Sequence, residues 1–289
     1  MVADRTKFSA PYVVEDSGRL QAALLVRPSF AIETLPPVQG EASPIAGRAQ
    51  EQHALLETRL RAHGVSVVSL ESDSASAASF AVGDIALMLG DGAVMMRPSD
   101  LGRRSEIAVV ESALGDAGIP IVGRIEPPGL LDGADVLLGS DSLFVAAPFD
   151  RPSAVGISRI RRGNPEGRRQ LAAIANERGL KTIEVSLASD VRRLRSVASF
   201  IDRGTVLLAS PLAAADAFAP FERIAVALGE DYGAGALTFG KRSILENLRF
   251  RTTLPMLRRQ GVAVDAIDLW EFGKLGITPS ALVLALKRG

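Results

Sequence analysis

The chain has no cysteine among its 289 residues. That absence removes disulfides, thiolate nucleophiles and cysteine metal ligands together. Histidine is nearly as scarce, with only His53 and His63. Both fall in one helical stretch but not at i,i+4 spacing, so they do not share a helix face as a zinc pair would. A zinc enzyme is disfavoured, and a Ser-His-Asp triad would have to use the same two side chains without any Gly-x-Ser-x-Gly elbow. Charge of one sign is also missing. Lys+Arg and Asp+Glu stand at 33 each, so no net field draws the protein to nucleic acid or to an anionic membrane. No apolar run approaches the roughly 20 residues that span a bilayer. Met1 to Asp16 is mixed polar and charged, without a signal-peptide core. The expectation is a soluble, cytoplasmic protein acting on a small molecule, with no nucleic-acid or membrane partner. No cofactor and no metal set is read from the residues, although carboxylates leave a bound Mg²⁺ open.

What is present is a repeat. With 47% hydrophobic residues the chain can bury one large core or two small ones. Short apolar runs alternate with single amphipathic helices, each leading to a further apolar run. The first pass has a strand at Ala22 to Val26, a helix from Gly47 to Ala62 ended by Gly64, and a strand from Val65 to Leu70. The second has Ile85 to Leu89 and Ala93 to Arg97 about a Gly90-Asp-Gly92 turn, a helix from Arg104 to Ala117, and Ile119 to Val122. The third has Val136 to Leu138, Leu143 to Val145, a helix from Pro165 to Arg178, and Lys181 to Val185. The fourth has Val197 to Ile201, Thr205 to Ala209, a helix around Ala214 to Arg223, and Ile224 to Leu228. The fifth has Gly235 to Phe239, Ser243 to Glu246, a helix from Thr252 to Gln260, and Val262 to Ile267. A last run, Ala281 to Leu286, is placed to close onto the first unit. Hairpin, helix and strand repeated in this way predict an α/β fold, a five-bladed ββαβ propeller with pseudo-fivefold symmetry. The rival, an open doubly wound sheet, uses single parallel strands and does not need a hairpin before each helix.

Several stretches resemble the dimethylarginine dimethylaminohydrolase branch of the arginine deiminase, or pentein, superfamily. They are Glu51-Gln-His53, Ala81-Val-Gly-Asp84, Gly102-Arg-Arg-Ser-Glu106, Arg124-Ile-Glu-Pro-Pro-Gly129, Leu131-Asp-Gly-Ala-Asp135, Arg162-Gly-Asn-Pro-Glu-Gly167, Glu230-Asp-Tyr232 and Glu271-Phe-Gly-Lys274. Their order holds from about Leu24 to Leu286, with an insertion between Phe149 and Arg161. The resemblance implies a single pentein domain over 21–289 after an N-terminal extension over 1–20, and suggests a homodimer. In that family a carboxylate pair holds a guanidinium, a histidine moves protons, a cysteine attacks the amidino carbon, and arginines take the substrate carboxylate. By position, Asp84 and Asp132 match the carboxylates, while Arg103 or Arg104, together with Arg162, match the arginines. The departures lie at the reacting groups. Arg193 stands where the histidine belongs, Ala281 where the cysteine belongs with Ser280 beside it, Gly83 in place of a glutamate and Ala78 in place of an aspartate.

Each candidate has an ordinary structural reading beside the functional one. Asp84, Asp132 and Asp135 are the kind of residue that closes turns, Asp135 most of all. Arginines near helix starts are often merely solvated, though Arg162 precedes a helix whose amides would favour a carboxylate. Arg193 carries positive charge toward the place of a guanidinium substrate, which favours an anionic or neutral ligand, and it exchanges no proton near neutral pH. Ser280 has a hydroxyl but no evident base. His53 reads as a packed core residue, Tyr232 and Trp270 as core or rim aromatics. The sequence thus predicts a hydrolase that cleaves a C–N bond of an amidine-like or N-heterocyclic substrate by a non-thiol route, with water directed by Asp84 or Asp132. The alternative is an inactive pentein that binds a small carboxylate-bearing ligand.

Overall fold

Four helices of the computed structural model, which describes residues 7–72, 76–152, 159–210 and 212–289, end in the same way. They are α1 (Ala46–Ala62), α2 (Glu106–Asp116), α3 (Pro165–Asn176) and α4 (Thr253–Arg259). Each is followed by a glycine, Gly64, Gly118, Gly179 and Gly261, with φ of 78°, 74°, 70° and 78°. The next residue then donates its amide back into the last turn: Val65 to Leu60, Ile119 to Leu114, Leu180 to Ala175 and Val262 to Leu257, at 2.9–3.0 Å. This closure needs a left-handed residue, which glycine supplies without a Cβ clash. It turns the chain back along the helix and into a strand.

Those returning strands are β2 (Ser66–Leu70), β5 (Ile121–Arg124), β10 (Lys181–Val185) and β16 (Ala263–Ile267). Each pairs parallel to a middle strand: β1 (Leu20–Val26), β4 (Ala93–Met95), β7 (Ser142–Ala146) and β15 (Ser243–Asn247). The middle strands pair antiparallel on their other side with β17 (Leu284–Arg288), β3 (Ala86–Met88), β6 (Val136–Leu138) and β14 (Leu237–Gly240). A fifth sheet, β11 (Ala198–Asp202), β12 (Thr205–Leu208) and β13 (Glu222–Ala225), has the same pairing. The described residues therefore contain five three-stranded sheets of one topology. The C-terminal run does pair with the first unit, Leu284 opposite Leu24.

The fourth unit departs from expectation. No α-helix fills Ala214 to Arg223; a 3-10 turn, Ala215–Phe218, takes its place, and β13 begins at Glu222. Pro220 is the physical reason, because proline offers no amide to a helix and its ring clashes with the preceding turn. The insertion in the third unit is a hairpin, β8 (Phe149–Pro152) with β9 (Arg159–Arg162), pairing Phe149 with Arg162; residues 153–158 lie outside the described residues. The buried rings of Phe144, Phe200 and Phe218, with Phe221, pack third and fourth units together at centroid separations of 4.9–6.1 Å. The N-terminal stretch is tied down as well. Tyr12 and Val13 donate to Gly90 and Leu89, and Asp16 exchanges hydrogen bonds with Leu138.

One further repeat builds the site. Just ahead of β3, β6, β11, β14 and β17 the chain makes a short 3-10 turn: Val82–Asp84, Gly133–Asp135, Leu194–Ser196, Asp231–Ala234 and Pro279–Ala281. The first packs on the second and fifth, and the third on the second, fourth and fifth. Gly133 shows how close the backbones come, since a Cβ there would stand 2.3 Å from the Gly83 carbonyl oxygen. Side chains flanking these turns are forced into one another's company.

Candidate functional site

Asp84 ends the first turn, Asp132 and Asp135 bracket the second, and Arg193 immediately precedes the third. Their side chains meet. The Arg193 guanidinium donates through Nε to Asp84 Oδ1 at 3.2 Å and through Nη2 to Asp132 Oδ1 at 2.8 Å. Its Nη1 lies 3.7 Å from Asp135 Oδ2 and donates to the carbonyls of Arg161 and Arg192 at 3.1 and 3.0 Å. The other oxygen of Asp84 accepts from Arg103, which also forks onto Glu106 at 2.9 and 2.8 Å and donates to the Ala81 carbonyl at 2.9 Å. A continuous chain of charge-assisted bonds results: Glu106, Arg103, Asp84, Arg193, Asp132.

Burial and charge split the three aspartates. Burial opposes the ionised form of Asp84, yet Arg193 and Arg103 outweigh it and hold the carboxyl below the ordinary value. Burial raises Asp132, helped by the charge of Asp84 and opposed by Arg193. Asp135, wholly covered, is pushed up to about 8 by burial and by its two like-charged neighbours, against the pull of Arg193. Burial thus favours its neutral, protonated form. Its Oδ1 accepts from the Leu194 amide at 3.3 Å, and its Oδ2 has no hydrogen-bond partner among the described residues.

Above this chain opens a cavity of about 480 Å³. Arg103, Arg161, Arg192 and Arg193 line it against only Asp84 and Asp100, with Leu35, Leu101, Ile160 and Ile277 among its apolar walls. Both oxygens of Asp84 are already engaged, so the wall is cationic in effect. Arg104 stands to one side, its Nε 3.5 Å from the Pro98 carbonyl. Burial and the neighbouring Arg97 and Arg161 hold it below the ordinary arginine value.

Arg162 and Ser280 are placed elsewhere. Arg162 is buried, donates to the carbonyls of Ala188 (3.1 Å) and Val191, and lies 4.4 Å from the centre of the Phe149 ring. Ser280 lines a separate cavity of about 40 Å³ with Asp16, Arg195 and Arg288. Its hydroxyl donates to the Arg195 carbonyl at 3.1 Å and lies 3.2 Å from Thr278 Oγ1, and neither partner takes a proton at neutral pH. His53 is packed in the core, with burial lowering it to about 4. Sequence reasoning missed Arg161 and Arg192. Arg161 lies on β9, in the stretch that the sequence marked only as an insertion, so no apolar pattern pointed to it.

No family model matches the chain. Curated proteins do. The dimethylarginine dimethylaminohydrolase of Pseudomonas aeruginosa is 26% identical over 232 residues, 80% of this chain and 86% of that one. Its namesake from Streptomyces coelicolor is 29% identical over 229 residues, 79% and 82% of the two chains. Among solved structures, the Pseudomonas enzyme as a cysteine-to-serine mutant complexed with citrulline superposes with a TM-score of 0.80 at 23% identity, covering 92% of this chain and 99% of that one. The N-terminal domain of ArgZ, a cyanobacterial arginine dihydrolase bound to substrate, gives 0.77 at 17% identity, over 92% and 98%. Fold and relatives point the same way: the chain has the fold of the pentein superfamily and is similar to hydrolases of that superfamily. Within it the chain is similar to the dimethylarginine dimethylaminohydrolases, but has no cysteine with which to carry their nucleophile.

Proposed function

We propose that this pentein binds a small carboxylate-bearing ligand in its arginine-lined cavity and does not cleave it. One observation carries the reading: the Arg193 guanidinium hydrogen-bonds to Asp84 and Asp132, the carboxylates that the family resemblance assigns to a substrate guanidinium. An internal cation in an acidic clamp competes with any external one by effective concentration alone. What remains for a ligand is the guanidinium side of the cavity, and arginine forks suit carboxylates. Arg161 and Arg192 line that side, Arg161 pairing with Asp150 at 3.3 Å and donating to the Ser99 carbonyl at 3.4 Å, while Arg103 and Arg162 donate to Asp84, Glu106 and backbone carbonyls. In this reading the five sheets are the blades of a propeller, the domain runs over 21–289, and 1–20 is an N-terminal extension before it.

The hydrolase reading keeps one observation in its favour: Asp84 lines the cavity and is held ionised. As a base it is weak, however, because Arg193 and Arg103 on its two oxygens hold its proton affinity below the ordinary carboxylate value. The test is calorimetric titration with citrulline, N-acyl amino acids and dicarboxylates, beside a mass-spectrometric turnover screen with and without EDTA. Saturable binding that weakens at least about tenfold in the Arg161→Ala/Arg192→Ala double variant, without a mass change, is expected. Turnover by the wild type that Asp84→Asn abolishes would overturn the binding reading and establish the hydrolase.

A further inference from the structure

Gly276 and Ile277 wall not only the arginine-lined cavity but also a second one of about 170 Å³. Its lining is of the opposite character. It contains Tyr232, Phe250 and Trp270, three carboxylate residues, Glu230, Asp231 and Glu246, and no lysine, arginine or histidine. Glu230 already has work elsewhere, accepting the amides of Thr252 and Thr253 at 2.7–3.2 Å at the start of α4. Glu246 does not. It stands on β15 with no exposed surface, its Oε1 accepts the Asn247 amide at 2.7 Å, and its Oε2 has no partner among the described residues.

A wholly buried carboxyl with one oxygen unanswered is costly to the fold. Nothing in the packing of β15 demands an acid there, as its neighbours Ile244 and Leu245 are ordinary buried aliphatics. The cavity beside it offers room for the missing partner. Aromatic walls and an acidic lining suit a positively charged group, through the ring quadrupoles as well as the carboxylates, as Arg249 at 5.8 Å from the centre of the Trp270 ring already illustrates. We infer that this cavity binds a small organic cation, an ammonium or guanidinium group, with Glu246 as its hydrogen-bonding counter-charge and Tyr232, Phe250 and Trp270 as its walls. The site stands on its own residues and does not depend on what the arginine-lined cavity holds.

Trp270 is the only tryptophan in the chain, so its fluorescence reports on this cavity directly. The wild-type protein would be titrated with methylammonium, tetramethylammonium and methylguanidinium chlorides at constant ionic strength, with tert-butanol as the neutral control. A saturable change with at least one cation and none with tert-butanol is expected, weakened about tenfold in Glu246→Gln and untouched in Arg161→Ala/Arg192→Ala. Asp231→Asn, at the half-exposed edge of the cavity, should weaken the same cation by about threefold, and it decides the matter if Glu246→Gln does not fold. No saturable response to any of the cations, an equal response to tert-butanol, or unchanged affinity in the folded Glu246→Gln or in Asp231→Asn overturns the inference.

Discussion

The two cavities on either side of Gly276 and Ile277 start from the same materials and end with opposite charge. Each is bordered by 3-10 turns of the repeat, and each has buried acids at its base. In the larger one, Arg193 and Arg103 neutralise the acids from within and the wall facing a ligand becomes cationic. In the smaller one, Glu246 is left without a cation and burial pushes its carboxyl well above the ordinary value, so Glu230 and Asp231 carry the acidity of the wall. A chain with 33 charges of each sign thus makes two fields, decided by which side chains neutralise which. The presence of an acid at a pocket therefore says little about its ligand until the partner of that acid is known.

The largest way to break this contrast is to remove the internal cation. Arg193→Ala leaves Asp84, Asp132 and Asp135 facing one another and should cost about 3–5 kcal/mol at pH 7, read by urea denaturation. Methylguanidinium should then restore part of the lost stability by filling the vacated clamp, a gain larger than any it gives the wild type. Asp84→Asn should cost less, about 2–3 kcal/mol, because Arg103 keeps Glu106 and Arg193 keeps Asp132. A smaller loss in Arg193→Ala than in Asp84→Asn would mean that the cluster is held by Arg103 and Glu106 instead.

Asp135 gives the contrast a pH dependence. Its carboxyl sits at about 8 in the folded protein against an ordinary 3.8, so between those values the folded state holds a proton that the unfolded state has released. Stability from this group is therefore full at acid pH and falls as pH rises through the window, by up to about 1.4 kcal/mol per pH unit. Asp135→Asn, which keeps an acceptor for the Leu194 amide, should flatten that fall and equal or exceed the wild type above pH 8. Thermal unfolding followed from pH 5 to pH 9 checks it, and parallel curves for the two proteins would remove Asp135 from the account.

Much of the fold was legible because its punctuation is local. Gly64, Gly118, Gly179 and Gly261 end helices by a rule that needs no knowledge of the rest of the chain. The fourth helix was misread because apolar spacing was weighed above Pro220, a local signal that was equally visible. The site was legible only by position. The sequence drew attention to Asp84, Asp132 and Arg193, but their bonds join residues separated by 109 and 61 positions. No periodicity encodes such pairings, and only the packing of turn on turn creates them. Arg162 was weighed as a ligand contact for its place ahead of a helix, whereas its guanidinium is buried against the Ala188 and Val191 carbonyls. Glu246 passed as one residue in an apolar run, although an acid in a run that reads as buried is itself a signal.

The smallest expected effect concerns Ser280, and it separates the reacting cavity of the relatives from the remainder of this one. Ser280 stands beside Ala281, the position the resemblance gives to cysteine, yet its hydroxyl is spent on the Arg195 carbonyl in the 40 Å³ cavity. Ser280→Ala removes that one buried hydrogen bond and should cost about 0.5–1.5 kcal/mol, with ligand affinity in the arginine-lined cavity unchanged. Ala281→Cys tests the neighbouring position in the opposite direction. A thiol there would be buried, as Ala281 is, with no histidine to take its proton, so it should alkylate slowly with iodoacetamide and confer no hydrolysis of methylated arginines. Rapid alkylation with measurable citrulline formation would mean that the acidic clamp opens to a guanidinium despite Arg193, and the two cavities would then differ in their thiol rather than in their charge.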